Sequence, residues 1–271
     1  MVRRNFQRKK LPVKATDINF RPLFPNAVTM MALAFGVSSI NMALWGSWGL
    51  AVLFIFASMI FDFLDGKVAR MLGVSSRFGA ELDSLSDFVS FGVAPGVLMY
   101  LWSMKIAVFS NDVPRAEAVG VYWIFALFLA MCCATRLARF NSLLDEKQPD
   151  YWLHFFMGVP APAGAGLALF PIILCQATQW DGFRNSIFVG FFLLFSGVMM
   201  ASRIPTLCLK HLHIPKKYSS VLCIFGLLLL AGLFSNPWET LSLVGVGYIL
   251  MIPICIYYFL KFKRQATGGH S

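Results

Sequence analysis

The chain has 271 residues, of which 58% are hydrophobic and only 13% are charged, and its formal net charge is +10. Soluble globular domains carry about 25% charged residues, so this composition excludes an ordinary soluble protein and indicates a polytopic membrane protein. We attribute the positive charge to membrane orientation and to attraction for anionic lipid, and we expect no nucleic-acid partner.

A basic segment precedes the first apolar stretch. Residues 1–24 hold seven Lys and Arg residues together with Ile18, Phe20 and Leu23. This mixture of cations and large apolar side chains predicts a cytoplasmic leader that lies at the membrane interface.

Eight apolar stretches are long enough to cross a bilayer, which takes about 20 residues of helix. They are residues 25–45, 48–65, 84–104, 119–140, 157–176, 186–204, 219–235 and 238–260. We therefore expect an all-α integral membrane protein with about eight transmembrane helices. If both termini are cytoplasmic, 20 of the 23 Lys and Arg residues face the cytoplasm, as the positive-inside rule requires.

Four aspartates interrupt the apolar pattern at the end of the second stretch and before the third. On helices, the spacing puts Asp62, Asp65, Gly66 and Ala69 on one face, and Gly79, Asp83 and Asp87 on another. Charge inside a membrane segment is costly and indicates function. If the two helices face each other, the carboxylates converge on a site that suits Mg²⁺ or Mn²⁺. Solvated helix ends are the alternative.

The pattern Asp-x2-Asp-Gly-x2-Ala-Arg-x8-Gly-x3-Asp-x3-Asp runs from Asp62 to Asp87. It resembles the signature of the CDP-alcohol phosphotransferases, integral membrane enzymes of phospholipid synthesis, and the resemblance extends from about Pro25 to Pro162. It implies the helical bundle of that family, two divalent cations (Mg²⁺ or Mn²⁺) in each active site, and a homodimer. The distribution of basic residues further predicts a multi-pass protein of the cytoplasmic membrane, surrounded by membrane lipid, whose active site faces the cytoplasm.

The resemblance also implies roles for single residues. Asp62, Asp65 and Asp83 are similar to metal ligands, and Asp87 to the residue that completes the metal site and acts as general base. The residues similar to those that bind CDP-diacylglycerol are Asn26, Thr29, Asp62, Gly66, Ala69, Arg70 and Ser76. Judged from the residues alone, Ser76 can equally be a helix cap. Capping for Asn26 and Thr29, and an interfacial cation for Arg70, are the alternatives to the roles that we favour.

Three further stretches are similar to the branch of the family that makes phosphatidylserine. They begin at Ser90 (Ser-Phe-Gly-Val-Ala-Pro), Arg136 (Arg-Leu-Ala-Arg-Phe-Asn) and Phe156 (Phe-Met-Gly-Val-Pro-Ala-Pro). This similarity implies that L-serine accepts the phosphatidyl group from CDP-diacylglycerol and that CMP is released. Arg136 and Arg139 are then candidates to bind the serine carboxylate or the lipid phosphate, and Asn141 to bind the amino acid. Cytoplasmic anchors and a helix cap remain the alternatives for these three residues.

Two other functions remain open at this point. The first is a sister enzyme that uses glycerol 3-phosphate, choline or an inositol-type alcohol. The second is a membrane cation transporter, which predicts paired repeats and broken helices, and we find neither in the sequence. With the enzyme as the favoured interpretation, the chain divides into a leader (1–24), a catalytic core of six helices (25–204), two additional helices (205–260) and a cytoplasmic tail (261–271).

Overall fold

Helices make up almost all of the structure. The computed structural model describes residues 23–74, 76–110, 115–143, 155–207 and 219–267, so most of the predicted leader and the last four residues of the tail lie outside the described residues. The α-helices are α1 (Leu23–Leu44), α2 (Trp48–Leu72), α3 (Arg77–Asp87), α4 (Ala94–Ser110), α5 (Arg115–Leu143), α6 (Ala161–Ala168), α7 (Phe170–Thr178), α8 (Ser186–Ala201), α9 (Ser219–Ser235) and α10 (Pro237–Thr267). The described part of the protein is thus all-α apart from two three-residue strands.

The number of membrane spans is lower than the sequence suggests. Within the described ranges, five helical segments are long and apolar enough to cross a membrane, or six if the bent pair α6–α7 counts as one span. Each of the eight predicted stretches is helical over most of its length, but α8 and α9 are short, with 16 and 17 residues. The count of eight spans is therefore not confirmed.

Helix α2 extends beyond its predicted end at residue 65 and continues to Leu72, so the Asp62–Arg70 run is entirely helical. Gly73 then ends the helix in the left-handed conformation, with φ at 62°, which glycine adopts without the steric cost that a Cβ would bring. After this turn the chain enters α3. The turn therefore carries the chain from the first pair of aspartates to the second.

One continuous helical segment follows, but it is not uniformly α-helical. Helix α3 passes into a π-helical turn (Phe88–Val93) and then into α4, with the Ala94 amide donating to the Val89 carbonyl. A π-turn places one extra residue in a helical turn and often occurs at functional sites. Here it begins directly after Asp87.

The π-turn is wedged between α1 and α5. A Cβ built at Gly36 on α1 would overlap the side chain of Ser90, and one at Gly92 would lie 2.9 Å from the Cβ of Cys133 on α5. Both glycines therefore allow the backbones to approach closely. This packing sets the distance between the helix that bears Asp87 and its two neighbours.

The fifth predicted span is broken. Helices α6 and α7 meet at Leu169 with a bend of 50°, and Pro171 lies in the first turn of α7, where the missing N–H of proline is tolerated. A continuous helix was expected here, and this expectation is wrong. The break holds none of the four aspartates.

A two-stranded antiparallel sheet connects the segment after α5 with the segment after α8. Strand β1 (Phe155–Met157) pairs with β2 (Pro205–Leu207). The Gly158 amide donates to the Ile204 carbonyl at 2.9 Å, and the Val159 amide donates to the Met199 carbonyl at 3.1 Å. These bonds hold the start of α6 against the end of α8.

We expect Gly36→Ala to destabilise the protein by about 1–3 kcal/mol, the usual cost of overpacking. The new methyl group would lie 2.9 Å from the Ser90 Cα atom, so a side-chain rotation of Ser90 does not relieve the clash. The measurement is the unfolding temperature in detergent micelles.

Gly226→Ala is the matched control, because no described atom lies within 4 Å of a Cβ at that position. Its unfolding temperature should stay the same or rise slightly, since alanine favours helix over glycine by up to about 1 kcal/mol. Equal stability of the two variants would contradict the close packing of α1 on the π-turn.

Candidate active site

Three of the predicted metal ligands form a cluster. One carboxylate oxygen each from Asp62 on α2 and from Asp83 and Asp87 on α3 lies within 4.8 Å of the other two. The sequence predicted that each pair of aspartates shares one helix face. In the structure the acidic faces of α2 and α3 lie close together. Asp65 does not belong to this group of three, but it is 4% exposed and close enough to Asp83 for the two carboxylates to repel each other.

Two oxygens in this region have no hydrogen-bond partner among the described residues: Asp65 Oδ2 and Asp87 Oδ1. Buried polar atoms are usually paired, and unpaired ones call for an explanation such as an ion. Carboxylates crowded together in an apolar bundle also repel unless a cation lies between them. The donor set contains only oxygen, which fits Mg²⁺ or Mn²⁺, so the residues present fit a divalent metal centre.

A cavity of about 170 Å³ lies beside the cluster. It is enclosed by the start of α1, the end of α2 and the start of α3. Its lining residues are Pro25, Asn26, Thr29, Asp65, Gly66, Ala69, Val74, Ser76, Gly79, Ala80 and Asp83. Five of the seven residues predicted to bind CDP-diacylglycerol are therefore brought together here.

The glycines of this cavity have different roles. A Cβ at Gly66 would have no described atom within 4 Å, so this side of α2 is open to the cavity. A Cβ at Gly79 would lie 3.1 Å from Asn26 Oδ1 and 3.2 Å from Ser76 Oγ. Gly79 therefore permits close packing of α3 against α1, whereas Gly66 leaves space for a ligand.

The helix-cap alternatives are partly realised. Ser76 is the N-cap of α3 and accepts a hydrogen bond of 3.0 Å from the Gly79 amide. Thr29 is buried and donates to the Pro25 carbonyl at 3.2 Å, while its own carbonyl accepts from Ser86 at 3.3 Å. These bonds hold both hydroxyl-bearing residues at the cavity wall and do not prevent a further contact with a ligand.

The last two predicted residues of the nucleotide site lie outside the cavity wall. Asp62 belongs to the carboxylate cluster. Arg70 is exposed, one turn after Gly66 on α2.

The three predicted acceptor residues on α5 have separate surroundings. The Arg136 guanidinium is half-buried and close enough to Asp62 and Asp87 to interact with both carboxylates. Arg139 instead donates to the Ala201 carbonyl at 2.8 Å, at the end of α8, where a helix has unsatisfied carbonyls. Asn141 donates to the Ser84 hydroxyl at 3.0 Å and so ties α5 to α3.

One neighbour of the cluster was not predicted. Tyr248 on α10 lies within electrostatic range of the Arg136 guanidinium. It belongs to the segment in which the sequence showed no recognisable chemistry, and 111 residues separate it from Arg136. The only sequence signal was one of three tyrosines in an apolar helix, which is ordinary at a membrane boundary.

Comparison with known proteins gives consistent matches. A family model described as CDP-alcohol phosphatidyltransferase matches residues 22–209, and one described as CDP-alcohol phosphatidyltransferase 2 matches residues 217–253. A protein of Mycobacterium leprae named CDP-diacylglycerol--serine O-phosphatidyltransferase is 34% identical over 87% of this chain and 75% of its own length. A Helicobacter pylori protein of the same name is 35% identical over 91% of this chain and 95% of its own length. One from Methanocaldococcus jannaschii is 43% identical over 51% and 54%.

Asp83→Asn should weaken Mn²⁺ binding by at least about tenfold, since losing even a residue that supports a metal ligand commonly costs 10- to 100-fold. Electron paramagnetic resonance of free Mn²⁺ in a titration of the purified protein measures this loss. Glu81→Gln is the control. Glu81 is exposed on the same helix, so this substitution also removes one negative charge but leaves the three aspartates of the cluster unchanged. Equal Mn²⁺ affinity in the two variants would show that Asp83 is not a ligand.

Proposed function

Because the chain belongs to the CDP-alcohol phosphatidyltransferase family, we propose that it transfers the phosphatidyl group of CDP-diacylglycerol to the hydroxyl of L-serine. The products are phosphatidylserine and CMP. The observation that carries this proposal is the carboxylate cluster of Asp62, Asp83 and Asp87 at the edge of a cavity of about 170 Å³. The names of the relatives support serine as the acceptor.

The cavity suits the nucleotide end of the lipid substrate. Asn26, Thr29 and Ser76 offer polar groups for cytidine at the wall formed by α1 and α3. The diphosphate then lies over Gly66, where no described atom fills the space above the backbone, with Ala69 beside it. Arg70 follows at the open side and can bind a phosphate with two donors.

The aspartates would hold two divalent cations, Mg²⁺ or Mn²⁺, with Asp62, Asp65, Asp83 and Asp87 as ligands. Such ions, when bound, neutralise charge on the diphosphate and on the leaving group. The unpaired oxygens of Asp65 and Asp87 support this assignment.

In the reaction that we propose, Asp87 takes the proton of the serine hydroxyl. The serine oxygen forms a bond to the phosphorus that bears diacylglycerol, and the bond from that phosphorus to the oxygen of CMP breaks. CMP leaves with the electron pair. Arg136 lies within electrostatic range of Asp87, so it offers a cation near the place where the acceptor must bind. Arg139 and Asn141 hold α5 in register with α8 and α3.

The membrane arrangement that we propose follows from the charges of the sequence. The chain crosses the cytoplasmic membrane eight times, with α8 and α9 as the shortest spans and with both termini and the active site in the cytoplasm. Residues 25–204 form the catalytic core and residues 205–260 add two helices. The protein acts as a homodimer among membrane lipids.

Serine-dependent release of CMP tests the function. Purified protein in micelles with CDP-diacylglycerol and Mn²⁺ should release CMP when L-serine is added, and phosphatidylserine should form in equal amount. Glycerol 3-phosphate, choline and inositol phosphate in separate reactions should give no release above background. Release with one of these alcohols and not with serine would reassign the acceptor, and no release with any of them would overturn the enzyme.

Gly66→Leu tests the position of the nucleotide. The new side chain has space in the folded protein, since no described atom lies within 4 Å of its Cβ, but it fills the cavity. We expect binding of a CDP ligand, measured by calorimetry with metal present, to weaken by more than about tenfold, because a clash with a bound ligand costs more than about 1.4 kcal/mol.

The control is Gly120→Leu on α5, where a Cβ would again have no described atom within 4 Å. It should fold and bind the CDP ligand like the wild type. If Gly66→Leu also binds normally, the nucleotide does not occupy this cavity.

A further inference from the structure

Two buried serines connect the helices that carry the aspartates to α1. The Ser58 hydroxyl on α2 donates to the Ala32 carbonyl at 2.7 Å, and the Ser86 hydroxyl on α3 donates to the Thr29 carbonyl at 3.3 Å. Only 0% and 3% of these two serines are exposed. A backbone carbonyl has two lone pairs, so each acceptor on α1 can bind a serine and keep its own helical hydrogen bond.

The two acceptor carbonyls are neighbours on α1. Thr29 and Ala32 are three residues apart and both are buried, so they lie one turn apart on the same side of the helix. From Thr29 onward the buried residues of α1 are all small: Thr29, Ala32, Gly36, Ser39 and Ala43. Small side chains let membrane helices pack closely, and serine often donates between such helices. One face of α1 therefore holds both α2 and α3.

Each serine also lies beside the aspartates of its own helix. Ser58 precedes Asp62 by four residues on α2, and Ser86 follows Asp83 by three residues on α3. These spacings place each serine on the same face as that aspartate, one helical turn away. Ser86 also directly precedes Asp87. A movement of either helix relative to α1 would thus move the carboxylates as well.

The cluster opposes this arrangement by its own charge. Oxygens of Asp62, Asp83 and Asp87 lie within 4.8 Å of one another, and carboxylates at such distances repel. The repulsion acts between α2, which carries one of the three, and α3, which carries two. Hydrogen bonds from both helices to neighbouring carbonyls of a third helix resist their separation.

We propose that Ser58 and Ser86 are positioning residues of the metal centre. By binding adjacent carbonyls of α1, they hold the carboxylate of α2 and the two carboxylates of α3 at the separation that a divalent cation requires. Neither serine is a ligand; each acts through the helix that it anchors. This inference rests on the metal centre of the proposed function.

Ser58→Ala and Ser86→Ala test the assignment, since each removes one hydroxyl and leaves all four aspartates in place. Without the hydrogen bond, part of the free energy of metal binding is spent on bringing the helices to the required separation. We expect the affinity for Mn²⁺ to fall by about 2- to 10-fold in each variant, the range that corresponds to one hydrogen bond. Electron paramagnetic resonance of free Mn²⁺ in a titration of the purified protein in micelles measures this loss.

Ser196→Ala is the matched control. Ser196 on α8 is equally buried and donates to the Gly164 carbonyl on α6 at 2.6 Å, so its loss also removes one hydrogen bond between two helices. Neither α6 nor α8 carries an aspartate. The unfolding temperature without metal should fall by a similar amount in all three variants, whereas the affinity for Mn²⁺ should stay at the wild-type value in Ser196→Ala.

Three results would overturn the inference. The first is a wild-type affinity for Mn²⁺ in both Ser58→Ala and Ser86→Ala, in which case this inference alone fails. The second is an equal loss of affinity in Ser196→Ala, which would show that any loosened helix contact weakens the site. The third is a wild type that binds no Mn²⁺, in which case the metal centre of the proposed function fails as well.

A second pair of variants covers a failure to fold. If an alanine variant does not fold, Ser58→Cys or Ser86→Cys replaces it, because a thiol has a similar shape and donates only weakly. The same 2- to 10-fold loss of Mn²⁺ affinity is expected, to about the same precision. An unchanged affinity in these variants would contradict the positioning role in the same way.

Discussion

Mutual repulsion among Asp62, Asp83 and Asp87 is the interaction on which the rest of the structure depends. Their oxygens approach within 4.8 Å of one another in a bundle whose surroundings are apolar, where charges are screened poorly. The close packing of α1, the π-turn and α5 around Gly36 and Gly92 holds the helices in place, and the divalent cations that we propose would supply the missing attraction. The protein stabilises the site by packing and leaves its charges for the ligand to balance.

Each helix that borders the cluster contributes a different kind of group. Helix α2 provides a carboxylate and a glycine that faces open space, α3 provides two more carboxylates, and α1 provides polar side chains at the wall of the neighbouring cavity. Helix α5 adds the guanidinium of Arg136. No single helix holds a complete site, so the activity that we propose requires all four to be packed correctly.

Much of this arrangement was predictable from the sequence because the periodicity of a helix is fixed. Aspartates at positions i and i+3 or i+4 must share a face, and a face of charge in an apolar helix must turn inward, so the convergence of α2 and α3 follows. The π-turn was not predictable, since its residues fit an α-helix equally well. The bend at Leu169 was missed because Pro171 is tolerated in a continuous membrane helix.

The contacts of single side chains were the least predictable part. By its charge, Arg139 fits a site for the acceptor. In the structure one of its Nη atoms instead donates to a carbonyl at the end of α8, and this contact joins residues that are more than 60 positions apart in the chain. Tyr248 is similar, because its nearness to Arg136 depends on how α10 packs and not on local pattern. The metal ligands, the roles of the nucleotide residues and the dimer remain predictions.

The π-turn after Asp87 has a consequence for how this span is oriented about its own axis. One additional residue in a helix of 3.6 residues per turn rotates everything beyond it by about 100° relative to an uninterrupted helix. The half of the span before the turn can thus aim its carboxylates at α2, while the half after it presents a separate set of side chains to α5. Removing one residue between Phe88 and Val93 would restore regular α-helical winding. The acidic face and the face packed on α5 could then no longer both keep their present orientations.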